Sequence, residues 1–156
     1  MFKKTIITLA ILTCYAGNNH LFSQATGDYR SNVSGTWATA ANWQTWNGSA
    51  WIAAGAAPNS TNGVITIQSG HTMQIAANVT LDQVVIASGG TINWTAGTCT
   101  FANGTGVDLQ ISGTYFDNRG SATVNITFNA GATWNMGAAG TLMKSAGNSS
   151  NNWQNA

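Results

Sequence analysis

From Val64 onward, apolar residues fall on every second position in short runs, and glycine, asparagine or serine cuts off each run. The runs are Ile65 and Ile67, Met73 and Ile75, Val79 and Leu81, Val84 and Ile86, Ile92 and Trp94, and Cys99 and Phe101; then Val107, Leu109 and Ile111, then Val124, Ile126 and Phe128, and last Trp134 and Met136. Period-two alternation sends one set of side chains to one face of a strand. Turn residues at both ends keep such strands short. A helix needs apolar residues three and four apart, and this stretch does not supply them.

A longer period overlies the alternation. SGHT begins at Ser69, SGGT at Ser88, SGTY at Ser112 and AGAT at Ala130. With Gly70, Gly90, Gly113 and Gly131 taken as equivalent, the steps are 20, 23 and 18 residues. A degenerate repeat near this length, with several strands in each, predicts an all-β fold: a short right-handed parallel β-solenoid, or β-helix. Residues 64–143 would then make about four coils, and glycine would sit at the corners. A β-sandwich is the alternative, since it also has short strands and frequent turns, but it predicts no glycine recurrence.

The first residues have the form of a signal peptide over residues 1–24. Lys3 and Lys4 precede an apolar stretch from Thr5 to Ala16, and small residues flank Gln24. The stretch is too short to span a bilayer, and no later segment is long and apolar enough to do so. Without the leader the chain keeps Arg30, Arg119 and Lys144 against Asp28, Asp82, Asp108 and Asp117, a net charge of −1. That balance gives no footprint for nucleic acid. Charged residues make up 6% of the sequence, far below the usual quarter, and small uncharged residues take their place. Cys99 is then the single remaining cysteine, so packing and backbone hydrogen bonds must hold the fold without a disulfide.

Residues 25–63 form a tryptophan-rich segment that precedes the repeats. Four of the chain's seven tryptophans, Trp37, Trp43, Trp46 and Trp51, lie within it. Asn47-Gly48 signals a two-residue hairpin turn. In that register Trp46 and Trp51 share one face as diagonal neighbours, and Trp43 shares the other with Ile52. One aromatic face can close the end of a solenoid, whose edge otherwise invites aggregation. The other, Trp46 with Trp51, is either a further part of that cap or the candidate carbohydrate-binding site, because indole faces stack on sugar rings.

DYRSNVSGTW, WNGSAW, the proline turn AAPNSTN and VITIQSGHTMQI together resemble the beginnings of secreted repeat proteins of gliding bacteria. Those are surface adhesins and β-helix proteins exported by the type IX secretion system. The resemblance spans Asp28 to Ile75, with looser similarity to Met143. It implies a β-helix behind an aromatic cap, placed outside the cell or on its surface. Such proteins usually end in a sorting domain. Here residues 144–156, ending GNSSNNWQNA, read as a polar tail or a truncated continuation into further domains.

Catalytic signals are thin. Asp108, Asp117 and Arg119 could serve the calcium-and-arginine chemistry of pectin-lyase-like β-helices, but Asp117-Asn118-Arg119-Gly120 reads first as a turn. NGTGVDLQI from Asn103 partly matches a calcium-binding nonapeptide that works only in stacked arrays. Without the leader, which holds His20, His71 is the single histidine, so it lacks a partner for a metal site or triad and fits a hydrogen-bonded corner. A Thr-x-Thr array, which would suggest ice binding, does not recur regularly. No catalytic residue, metal or cofactor is expected. The expected role is a secreted, noncatalytic, adhesin-like or structural module of the cell surface or extracellular space. The alternative is a carbohydrate-binding module of a larger polysaccharide-processing protein. The partners would be polysaccharides or cell-surface glycans.

Overall fold

The computed structural model describes residues 23–120, 124–145 and 151–155. The leader expected over residues 1–24 falls outside the described residues as far as residue 22. The described chain is all-β, with one three-residue 3₁₀ turn, Ala40–Asn42, and no α-helix. Accordingly, none of the described residues forms a helix long and apolar enough to cross a membrane.

Strands β1 (Tyr29–Ser31), β2 (Gly35–Thr36), β3 (Trp43–Trp46) and β4 (Trp51–Ala53) come first. The chain then passes through three sheets in rotation. One round is β5 (Ile65–Ile67), β6 (Thr72–Ile75) and β7 (Val79–Leu81); the next is β8 (Val84–Ile86), β9 (Thr91–Trp94) and β10 (Cys99–Phe101). A third is β11 (Leu109–Ile111), β12 (Thr114–Asp117) and β13 (Val124–Phe128), and a fourth is β14 (Trp134–Met136), β15 (Thr141–Lys144) and β16 (Asn151–Asn155). Sheet A has the order β14-β11-β8-β5-β1-β3-β4, sheet B the order β15-β12-β9-β6-β2, and sheet C the order β16-β13-β10-β7. Every ladder is parallel except β1–β3 and β3–β4. An antiparallel sandwich would pair its strands the other way. The three sheets are open, each with two edge strands.

The alternation does what the sequence implies. Ile65, Ile67, Met73, Ile75, Leu81, Val84, Ile86, Ile92, Trp94, Cys99, Phe101, Leu109, Ile111, Ile126 and Phe128 are buried in one core. Like residues stack where like positions pair: Phe101 lies over Phe128 with ring centroids 5.3 Å apart. Threonines 72, 91, 114 and 141 occupy one register column of sheet B, an alignment hidden in the sequence by unequal repeat lengths.

Several expectations need correction. The equivalent corner glycines are Gly90, Gly113 and Gly140, because Thr91, Thr114 and Thr141 are paired directly after them. Gly113 cannot carry a side chain: a Cβ there would lie 2.3 Å from the carbonyl oxygens of Ala87 and Gly90. Gly131 belongs to another corner, between sheets C and A. Val107 is 41% exposed, because β11 starts only at Leu109. Tyr115 and Asp117 fill inward positions of β12, which the sequence conceals by placing a carboxylate in the apolar phase. Residues Asn151–Asn155 pair with β13 where a tail without strand pattern is expected, since a parallel ladder needs backbone groups and not apolar side chains.

Candidate functional site

The tryptophan segment divides in two. Trp37 and Trp43 are buried, 4% and 0% exposed, and meet edge to face at 4.7 Å. Their indole N–H groups are satisfied by backbone carbonyls, Trp43 donating to Trp37 O at 2.7 Å and Trp37 to Pro58 O at 2.9 Å. Both belong to the core.

Trp46 and Trp51 are half-buried on the opposite face of the β3–β4 hairpin. The loop between them has four residues, Asn47 to Ala50, not two. Asn47 Oδ1 accepts the amides of Ser49 and Ala50 at 2.9 Å each, and the Ser49 hydroxyl at 3.0 Å. This local acceptor satisfies the loop from within. The register shifts in consequence: Trp46 lies directly opposite Trp51, not on a diagonal, and Ile52 faces Thr45. The two rings are 5.5 Å apart and tilted by 60°. They form a wedge and not one flat platform.

Arg30, which the sequence reading passed over, completes the cluster. It lies opposite Gln44 in the β1–β3 ladder and beside Thr66 of β5. Its Nε–H donates to Gln44 Oε1 at 2.8 Å, and its guanidinium lies 4.5 Å from the centre of the Trp51 ring. A polar depression of about 160 Å³ opens here, lined by Gln24, Arg30, Trp51, Thr66 and Gln68 among others. A second depression, lined by Val64, Gln83, Val85 and Gln110, lies farther along the same outer face of sheet A. The usable sequence signal was positional: Arg30 and Gln44 sit on strands that flank the tryptophans.

The other candidate residues are held in structural roles. Asp28 accepts the amides of Val64 at 2.9 Å and Ala25 at 2.8 Å. Asp108, fully buried, does the same just before β11, with Gly104 N at 2.8 Å and Thr133 N at 2.6 Å. Burial alone would push the Asp108 carboxyl up, but those amides together hold it below the ordinary carboxylate range. Asp82 sits beside it with one buried oxygen unpartnered, and burial, then the Asp108 carboxylate, pushes it up to about 6.

Asp117 and Arg119 lie at a different corner from Asp108, so the trio is not brought together. Arg119 bonds both Asp117 oxygens, at 3.0 and 3.1 Å, and covers the Trp94 ring. His71 Nδ1 lies 2.8 Å from Ser31 Oγ. That hydroxyl is fully buried and also accepts the Gln68 amide, so it ties a corner together instead of facing solvent. Cys99 is buried beside Tyr115, and burial pushes its thiol up to about 12, far from a reactive thiolate. Among the described residues, no three His, Cys, Asp or Glu side chains gather as a metal site would require. Comparison of the chain with protein-family models, with curated proteins and with solved structures gives no match.

Proposed function

We propose that the protein is a secreted, noncatalytic β-solenoid module of the cell surface or extracellular space, adhesin-like, which holds glycans on the outer face of sheet A. The observation that carries this reading is the division of labour among the tryptophans. Trp37 and Trp43 belong to the core, while Trp46 and Trp51 stand half-buried on the outside. A half-exposed aromatic pair beside arginine and amide side chains offers what a sugar needs: apolar faces for its C–H surface and donors and acceptors for its hydroxyls. Three parallel sheets visited in rotation support the solenoid. The apolar leader and the resemblance over Asp28 to Ile75 support export by the type IX route. The structural engagement of Asp28, Asp108, Asp117 and His71 supports a binding role over a catalytic one.

The test is retention of the purified chain on a panel of insoluble polysaccharides. The wild type should be retained by at least one. Trp46→Ala with Trp51→Ala should abolish that retention while lowering unfolding stability by no more than about 1–2 kcal/mol, since half-exposed rings forfeit less burial than core rings. A loss of about 3–5 kcal/mol for each ring would instead mark both as core residues and end the reading. So would failure of the wild type on every polymer.

A further inference from the structure

We propose that Arg30 makes this face selective for carboxylated polysaccharides, those built on uronic acids; the inference rests on the glycan-binding reading above. Arg30 is held from three sides. Its backbone is paired to Gln44 on one side and Thr66 on the other, its Nε is bonded to Gln44, and its plane lies over Trp51. A guanidinium fixed this way has already given up most of its rotamer freedom, so little remains to be lost on binding.

Its two terminal nitrogens make no hydrogen bond or ion pair with the described residues; the charged pair among those residues is Asp117 with Arg119, at another corner. Two parallel N–H donors from a rigid fork match the two oxygens of a carboxylate. Asp28 lines the same depression, but it is 7% exposed and both its oxygens already accept backbone amides. The rest of the lining is neutral, with Gln24, Thr66 and Gln68. Asp28 is the single acidic group of that lining and is turned to the backbone, and no second cation there competes for an anion.

The register also sets the direction. Arg30, Thr66, Val85, Gln110 and Asn135 stand side by side on consecutive strands, at the usual spacing of about 4.8 Å. A polysaccharide lying across the strands would place its uronate on Arg30 and its neighbouring sugars on the rungs beyond, toward Gln110 and Asn135.

The experiment compares polygalacturonate with the same polymer after carboxyl reduction, by calorimetry on the whole chain at low and moderate salt. The wild type should bind the acidic polymer at least tenfold tighter, and the difference should shrink as salt rises. Arg30→Gln should erase the preference by weakening binding of the acidic polymer at least tenfold more than binding of the neutral one, and Arg30→Lys, a cation without a fork, should recover only part of it. Equal binding of the two polymers by the wild type overturns the inference and leaves glycan binding standing, as does a preference that survives in Arg30→Gln. Binding of neither polymer, by a chain that also fails on the polysaccharide panel, overturns both.

Discussion

Asp82 and Asp108 show how the same residue type takes opposite states a few ångströms apart. Asp108 is fed by two backbone amides and stays charged; Asp82 has none for its buried oxygen and resists charging. The Asp82 carboxylate also presses on Gly104, where a Cβ would lie 2.0 Å from its Oδ2. The linkage follows from the directions. With its folded-state value raised from 3.8 to about 6, Asp82 binds more proton in the folded than in the unfolded state between those values. Stability from this group is therefore complete below about pH 4 and is lost as pH rises through 6. Asp108, held low, works the other way: its contribution is lost only as pH falls below the ordinary carboxylate range. Denaturant midpoints should accordingly fall by the equivalent of about 1–2 kcal/mol from pH 4 to pH 7, the half-exposed site being partly screened by solvent. Asp82→Asn should flatten that slope and be the more stable protein at pH 7. A wild-type midpoint that rises over the same range would contradict the assignment. None of this was legible in the sequence, where Asp82 and Asp108 are 26 residues apart and only the corner brings them together.

At the scale of the strand, much was legible. Alternation alone placed nearly every inward residue of β5 to β11 correctly, because a one-residue slip would turn a whole strand's apolar set toward water. What failed was the repeat. The connection from sheet C back to sheet A takes two residues after β7, seven after β10 and five after β13. Corner insertions of this kind cost little in stability, so their lengths drift while the strands stay in register. Aligning glycines by spacing therefore joined Gly131 to the wrong column. The hairpin erred for a related reason: Asn47-Gly48 satisfies a two-residue turn on paper, yet the Asn47 side chain can serve a wider loop just as well. The tryptophans test the resulting assignment directly. Trp43, with no exposed surface and a bonded indole nitrogen, should cost about 3–5 kcal/mol when replaced by alanine. Trp46→Ala should cost under about 1.5 kcal/mol, and the same denaturation series reads both. Similar losses at the two sites would mean that the hairpin is part of the core throughout.

Across the whole molecule the two ends of the stack are unlike. At one end Trp37 and Trp43 are buried in the core, and the Ser60 amide donates to Thr80 O on the edge strand β7 at 2.9 Å. At the other, the inward positions of β14 are open: Trp134, paired after Leu109, is 44% exposed, and Met136, paired after Ile111, is 39% exposed. Residues at these same register positions one round earlier are fully buried, so the difference comes from what lies above them and not from their chemistry. Among the described residues, strands β14, β15 and β16 pair on one side only, which leaves a row of backbone donors and acceptors next to that apolar surface. An edge of this kind is a template for pairing with another chain, and Lys144 is the lone cation among the described residues of that round. The purified chain should therefore associate as concentration rises, and through one end only. Light scattering over a concentration series should show Met136→Lys suppressing the association, since a charge on the open core opposes its burial. Ile52→Lys, a comparable change at the opposite end where Ile52 is 45% exposed, should leave it unchanged. If Ile52→Lys were the variant that stayed monomeric, the covered end would be the sticky one, and the tryptophan pair would have to be assigned a docking role in place of closure.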